Sequence, residues 1–202
     1  VLHFFAVIGV GFYLILNLQW YSYKIERVFL HHKKQSWHIM FLFIPIIAFY
    51  TTGDYFALYF LFAYLPTLFF WYKKRDKKLV FTGRVKRYFT YLILLSLLGE
   101  WYSFSTQAPL NIIIPLIGAF AFSHLTESIL RHFYYSQAKN KLSANENLKI
   151  VAITASFGKT SIKHFLHTFI KDDINSYMSP GSVNTEVGLM ADINNNLEED
   201  CE

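Results

Sequence analysis

The chain has 202 residues, of which 53% are hydrophobic, 19% aromatic and 16% charged, and its formal net charge is +5. An average soluble domain has about 25% charged residues, so this composition excludes such a domain over most of the length. The basic residues flank apolar runs rather than sharing one soluble face, which excludes nucleic acid and favours lipid headgroups as the anionic partner.

Five apolar runs precede residue 126, and we predict that they are transmembrane helices of a bilayer-embedded domain, residues 1–130. The first run lacks the flanking signals of a signal peptide and is expected to be an anchor. The second and third runs allow a full hairpin or a shallower re-entrant pair; the hairpin is favoured because the bilayer can thin locally. The runs are 1–23, 39–52, 55–72, 88–101 and 109–125.

The positions of the basic residues predict the membrane topology. Every Lys and Arg before residue 149 lies in loop 24–38, in loop 73–87 or after residue 126, whereas the loops around residues 53 and 103 have none. By the positive-inside rule, the basic loops and the soluble part are cytoplasmic and the amino end faces outward. We therefore expect a multi-pass protein of a bacterial inner membrane.

Several isolated polar residues are weak candidates for function. Glu100 is expected to be an ordinary interfacial residue beside Trp101, with a functional intramembrane carboxylate as the alternative. The histidines lack carboxylate or cysteine partners at metal-ligand spacing, so we expect solvation or packing rather than ligation. They are His31, His32 and His38 in the first basic loop, and His164 and His167 near the carboxyl end. The only cysteine, Cys201, allows no disulfide within the chain.

A phosphate-binding loop is predicted near the carboxyl end. A β-branched run, residues 149–154, leads through a small-residue turn into Gly-Lys-Thr-Ser and a helix over residues 160–171. Backbone N–H groups in such a turn and the positive end of the helix bind phosphate. The predicted nucleotide-binding residues are Ser156, Phe157, Gly158, Lys159, Thr160 and Ser161.

The roles within this loop follow from its chemistry. Lys159 is expected to reach the β- and γ-phosphates of ATP, and Thr160 to help coordinate Mg²⁺. The alternative is a fortuitous Gly-Lys-Thr in a soluble loop, because Ile153 and Ala155 stand where the common forms have Gly. Alanine in particular resists a positive φ.

A polar linker, residues 131–148, separates the membrane domain from the incomplete start of an α/β domain, residues 149–202. A second strand is predicted over residues 175–178, giving a parallel sheet. Both ends of the chain look like cuts, so we expect a fragment with an incomplete ATP site. The stretch after the second strand contains a turn and Asn184, a candidate helix cap, before a helix over residues 189–197.

Together the two motifs resemble the Mur ligases, the ATP-dependent amide-forming enzymes of peptidoglycan precursor synthesis. The first motif is similar to the family's I-T-G-S-x-G-K-T-[ST] loop. The second, Thr185-Glu186-Val187-Gly188 after Asn184, resembles N-N-E-I-G of the MurF branch, which adds D-alanyl-D-alanine to UDP-N-acetylmuramoyl-tripeptide. The resemblance covers residues 149–197.

The resemblance implies a P-loop central domain that uses ATP and Mg²⁺ to form an amide through an acyl phosphate. It implies that Lys159 is catalytic and that Asn184 lies near the nucleotide and metal, with Glu186 less certain. It also implies a UDP-muramoyl-peptide and an amino-acid or dipeptide as substrates, and membrane enzymes of lipid-linked precursor synthesis as partners. Two alternatives stay open: a transport or scaffold protein with a regulatory P-loop domain, and an amide ligase outside the cell wall.

Overall fold

The structure is a computed structural model that describes residues 2–30, 36–181, 183, 185–198 and 201. Within these residues the chain forms eight helices and no β-strand. The helices are α1 Leu2–Trp20, α2 Ile25–Leu30, α3 Ser36–Thr51, α4 Gly53–Lys73, α5 Gly83–Thr106, α6 Ile113–Ala144, α7 Lys159–Ile170 and α8 Glu186–Asn196. The chain divides into two compact units, residues 1–126 and 127–202.

The long helices of the first unit run alternately between two ends. At one end, Arg75 after α4 lies 4.4 Å from the ring of Trp20 at the end of α1 and 5.2 Å from the ring of Trp37 in α3. At the other end, Nε2 of His3 in α1 donates to the carbonyl of Asn111, just before α6, at 3.1 Å. The start of α1 therefore lies beside the start of α6, and the end of α1 beside the start of α3 and the end of α4.

Helix α1 lies at the centre of this unit, and two of its glycines allow close packing. A Cβ atom at Gly11 would lie 2.3 Å from Cδ2 of Leu92 and 3.3 Å from the hydroxyl of Tyr88, both in α5. A Cβ atom at Gly9 would lie 3.2 Å from the ring of Tyr64 in α4. Because these positions have no side chain, α4 and α5 approach the backbone of α1 closely, as small residues allow in membrane bundles.

Two prolines explain the irregular turns in α3 and α4. A π-helical turn, Ile39–Phe43, precedes Pro45, and another, Phe60–Tyr64, precedes Pro66. Proline has no N–H to give to the carbonyl four residues earlier, which for Pro45 is the carbonyl of Phe41. The hydroxyl of Tyr64 donates to that carbonyl at 3.1 Å. A side chain of the π-helical turn in α4 therefore provides the hydrogen bond that a backbone carbonyl in the π-helical turn of α3 lacks, as buried backbone groups require.

The loop after α4 is fixed by cation–aromatic and backbone contacts. Arg75 also lies 4.9 Å from the ring of Trp71, so three indoles surround one guanidinium. The side-chain amide of Gln19 donates to the carbonyl of Val80 at 2.7 Å and accepts from its N–H at 2.9 Å. This loop therefore has a defined place across the end of α1.

At the opposite end, Glu100 caps the first turn of α1. Its Oε1 accepts a hydrogen bond from the N–H of Phe4 at 3.2 Å and lies 3.6 Å from Nδ1 of His3. A carboxylate at a helix amino terminus satisfies a free N–H group and complements the helix dipole. These contacts give Glu100 a structural role at the end of the bundle.

His38 is not the solvated loop residue that the sequence predicted. It is 3% exposed, its Nε2 donates to the carbonyl of Val28 at 2.8 Å, and its Nδ1 accepts from the hydroxyl of Tyr13 at 2.7 Å. A carbonyl accepts only, so the contact to Val28 fixes the proton on Nε2. The other two histidines of this loop, His31 and His32, lie outside the described residues.

Among the described residues, three helices are long and apolar enough to cross a membrane: α1, α4 and α6. The helical membrane-type fold predicted from composition is thus confirmed, but the count of about five spans is not. At 1.5 Å per residue, α3 (Ser36–Thr51) is about 24 Å long, shorter than a bilayer core of about 30 Å. Helix α5 is long but carries Arg84, Lys86, Arg87 and Glu100 together with several hydroxyl residues, which lowers its mean hydropathy.

The second unit has no β-strand in its described part, so the predicted strands 149–154 and 175–178 are not observed. A strand requires a neighbour to which its backbone bonds, and these two segments do not pair in the described residues. The predicted linker, residues 131–148, is helical as far as Ala144 at the end of α6. Helix α7 lies one residue from its predicted bounds, and α8 begins three residues earlier than predicted.

The close approach at Gly11 generates a stability prediction. We expect Gly11→Ala to destabilise the protein by about 1–3 kcal/mol, because the new methyl group overlaps Leu92 in a packed core. The midpoint of thermal unfolding in detergent measures this change. Gly99→Ala in α5 is the matched control, since a Cβ atom there meets nothing within 4 Å. Equal midpoints for the two variants would contradict the packing argument.

Candidate nucleotide-binding site

The predicted phosphate loop forms a turn that leads directly into α7. Gly158 is the N-cap residue, with φ +77°, and its carbonyl accepts from the N–H of Ile162 at 2.9 Å. This left-handed backbone conformation favours glycine. A Cβ atom at Gly158 would meet nothing within 4 Å, so conformation rather than space explains the glycine here.

Alanine at position 155 is compatible with this turn. The sequence argument against Ala155 was that a phosphate loop with glycine at this position could require a positive φ. Among the described residues other than glycine, positive φ occurs only at Ser22, Tyr23 and Gln107, so Ala155 is not strained. The single left-handed residue of the turn is Gly158.

Lys159 lies across the turn in this structure. Its Nζ donates a hydrogen bond to the carbonyl of Ala155, four residues earlier, so the ammonium group closes the loop on itself. The predicted loop residues are all exposed to solvent: Ser156, Phe157, Gly158, Lys159, Thr160 and Ser161. The side chain of Phe157 is 92% exposed. The N–H groups at the start of α7 are four helical donors without partners within the helix. An anion could reach them and the Lys159 ammonium together.

A cavity of about 720 Å³ lies beside the loop within the second unit. Lys159 and Thr160 line one part of it, and Ser179 and Gly181, from the segment before the second motif, line another. Most of the remaining lining is apolar and comes from residues 148–155, α7 and α8. Concave, largely apolar sites with a few polar groups are typical of small-molecule binding.

The second motif begins α8. The hydroxyl of Thr185 accepts from the N–H of Gly188 at 3.2 Å, so Thr185 is the N-cap residue. The sequence had suggested Asn184 for this role, and Asn184 itself lies outside the described residues. Glu186 occupies the first turn of α8, where its charge complements the helix dipole. It is exposed.

Lys163 is a residue of this site that the sequence argument missed. Its Nζ donates to the carbonyls of Ser179 and Gly181, each at 2.7 Å, which ties α7 to the turn before the second motif. The available signal was its spacing: Lys163 lies four residues after Lys159, on the same face of the helix.

The candidate metal ligands have other partners or no neighbours of the right type. Nδ1 of His167 lies 2.9 Å from the hydroxyl of Ser176, while His164 is exposed on the same helix. In the part of the chain that the structure describes, no group of three or more His, Cys, Asp or Glu side chains could hold a metal ion. Thr160, predicted to join the shell of a nucleotide-bound Mg²⁺, is exposed in the first turn of α7.

Comparison with known proteins does not extend this description, since no protein-family model, curated protein or solved structure matches the chain. The geometry alone supports an anion site: a left-handed glycine, an accessible helix amino terminus, a lysine and a threonine beside a cavity. These are the elements that bind phosphate in proteins.

The pair Tyr177–Asp192 generates a pH prediction. The hydroxyl of Tyr177 donates to Oδ1 of Asp192 at 2.6 Å. Burial first, and then this hydrogen bond, raise the pKa of Tyr177 to about 12. The folded pKa lies above the unfolded value of about 10, so the stabilisation is complete below pH 10 and is lost as the pH rises towards 12.

The tyrosinate absorbance of the wild type minus that of Tyr177→Phe measures this titration directly. We expect a midpoint of about 12 for the difference. Asp192→Asn should lower the midpoint, because it removes the negative charge that disfavours the phenolate. A midpoint at the ordinary value in the wild type would contradict the contact.

Proposed function

We propose that the chain belongs to a membrane-tethered, ATP-dependent amide ligase of Mur type, acting in peptidoglycan precursor synthesis. The observation that carries the proposal is the loop Ile153–Ser161, whose Gly-Lys-Thr-Ser sequence coincides with a left-handed Gly158 at the start of α7. The motif thus coincides with two features that support phosphate binding, a left-handed glycine and the amino terminus of a helix.

The residues present fit a nucleotide with its metal ion. Gly158 has a left-handed backbone and no side chain to cover the turn. The Lys159 ammonium lies within the loop, and the hydroxyl of Thr160 follows in the first helical turn. When bound, Mg²⁺-ATP supplies the phosphoryl group that converts a substrate carboxylate into an acyl phosphate, from which an amine displaces inorganic phosphate to leave an amide. In this ligase Thr160 helps hold Mg²⁺.

The chain's own groups then have defined tasks. Backbone N–H groups from Ser156 to Lys159 hold the phosphates, and Ser161 extends the first turn of the helix beside them. The Lys159 ammonium leaves the Ala155 carbonyl and stabilises the negative charge on the transferring group, as preorganised cations do in phosphoryl transfer. From the resemblance to the Mur ligases, Asn184 would act near the nucleotide and metal, and Glu186 in the first turn of α8 belongs to the same motif.

The first unit tethers the ligase to the membrane. Its helices present many apolar side chains outward, among them Phe62 on α4, Leu98 on α5 and Ile117 on α6, as a lipid-facing surface does. In a bacterial inner membrane with the basic loops inside, the ATP site faces the cytoplasm, where a UDP-muramoyl-peptide and an amino acid or dipeptide are substrates. Membrane enzymes that make lipid-linked precursors are the proposed neighbours.

The ligase activity is tested with the complete protein in detergent. We expect phosphate release from ATP that needs both UDP-muramoyl-tripeptide and D-alanyl-D-alanine and that falls at least about 100-fold in Lys159→Ala, because a transition-state cation is lost. Lys171→Ala, which changes an exposed lysine just after α7, is the matched control. ATP binding without stimulation by either substrate would overturn the ligase assignment and favour a regulatory P-loop domain.

The topology is tested by cysteine labelling in intact cells, in a Cys201→Ser background. Asp54→Cys and Ser105→Cys should react with an impermeant maleimide, whereas Lys77→Cys should react only after permeabilisation, because basic loops stay inside. All three positions are exposed in the fold, so access depends on the membrane alone. Labelling of position 77 in intact cells would contradict the proposed orientation.

A further inference from the structure

Lys163 joins two parts of the candidate site that are distant in sequence. Its Nζ lies 2.7 Å from the carbonyl oxygen of Ser179, 2.7 Å from that of Gly181 and 3.5 Å from the Ser179 hydroxyl. An ammonium group has three donors, so one side chain holds both carbonyls of the turn around Pro180 at the same time. Hydrogen bonds from a charged donor are the stronger class.

The turn that Lys163 holds contains a glycine and a proline. Gly181 has φ +51°, and Pro180 has a fixed φ and no N–H. Within the turn, the N–H of Val183 bonds to the Pro180 carbonyl only at 3.4 Å. The carbonyls of Ser179 and Gly181 both accept from the Lys163 ammonium group, and the bond between Val183 and Pro180 involves neither of them.

The position of Lys163 relates this turn to the phosphate loop. Lys163 lies one helical turn after Lys159, and Ser179 and Gly181 line the same cavity as Lys159 and Thr160. Since the N-cap Thr185 follows Gly181 after only three residues, the place of the turn determines where α8 and the second motif begin.

We propose that Lys163 is a positioning residue that clamps the turn at residues 179–181 to the helix of the phosphate loop, and thereby sets the second motif at the nucleotide–metal site. The inference rests on the proposed function for its catalytic consequence, but not for the clamp itself. Lys163 does not contact the phosphates in this scheme, because its donors are directed at backbone carbonyls.

The clamp is measured by hydrogen exchange in the complete protein without nucleotide. We expect the amides of Val183 and Gly188, which bond to the Pro180 carbonyl and the Thr185 hydroxyl, to exchange about tenfold faster in Lys163→Met, because the turn before them loses two charge-assisted hydrogen bonds. Lys163→Arg should restore most of the protection, since guanidinium also donates to two carbonyls. Lys171→Met, on an exposed lysine just after the same helix, should exchange as the wild type does. Unchanged exchange in Lys163→Met would overturn the clamp.

The positioning role is measured by nucleotide affinity and turnover as functions of Mg²⁺. In Lys163→Met we expect the Mg²⁺ concentration for half-maximal activity to rise and kcat to fall, each about tenfold, with a smaller change in KM for ATP because the phosphate loop is retained. A loss of stability alone would not change kcat and the Mg²⁺ requirement while leaving the KM for ATP nearly unchanged. Lys163→Arg should restore kcat and the Mg²⁺ requirement. Faster exchange with unchanged kcat and Mg²⁺ dependence would overturn the positioning role.

Failure of the proposed function gives a different result. A wild type that binds Mg²⁺-ATP but forms no amide would refute the ligase, while the Mg²⁺ dependence of ATP affinity in Lys163→Met would still test the positioning role. A wild type that binds no ATP would overturn both the ligase assignment and the positioning role of Lys163.

Discussion

The first unit depends on the burial of α1 between α4 and α5, where two glycines of α1 leave room for side chains of the neighbouring helices. Gly9 faces the ring of Tyr64, and Gly11 faces Leu92 and Tyr88, so the neighbouring helices contact the backbone of α1 on two sides. Residues of α1 also take part in the contacts at both ends of the bundle. The indoles around Arg75 and the pair His3–Glu100 each include a residue of α1 or a neighbour that packs on it.

Several buried polar groups of this unit find partners on neighbouring helices, as a membrane environment favours. Tyr13, His38 and the carbonyl of Val28 form one such chain, in which each donor has an acceptor. The Phe41 carbonyl, deprived of its helical donor by Pro45, receives the hydroxyl of Tyr64. These contacts join helices α1, α2, α3 and α4 at defined positions, which packing of aromatic side chains alone would not specify.

In the second unit, one lysine side chain provides hydrogen bonds to two backbone carbonyls of a turn that is distant in sequence. The carbonyls of Ser179 and Gly181 converge on Lys163, and that contact links α7 to the turn that precedes the second motif. The two motifs that suggest a ligase are thus related by a side chain that belongs to neither. In the proposed ligase, Lys159 acts on the phosphates, and Lys163 holds the turn at residues 179–181 against α7.

The sequence by itself determined the helical membrane-type fold, since apolar runs of sufficient length leave few alternatives, and it located the turn at Gly158 and the helix after it, which form the predicted phosphate loop. The π-helical turns before Pro45 and Pro66 were not predicted from the sequence, and neither was the hydroxyl of Tyr64 as the partner of the Phe41 carbonyl. Tertiary structure decided that His38 is buried, that Glu100 caps α1 and that Lys163 holds a distant turn. It also left the segments 149–154 and 175–178 unpaired, because a strand forms only where a neighbouring backbone bonds to it. Hydrophobic periodicity is a local property, whereas the partner of a polar side chain is fixed by contacts between residues far apart in the chain.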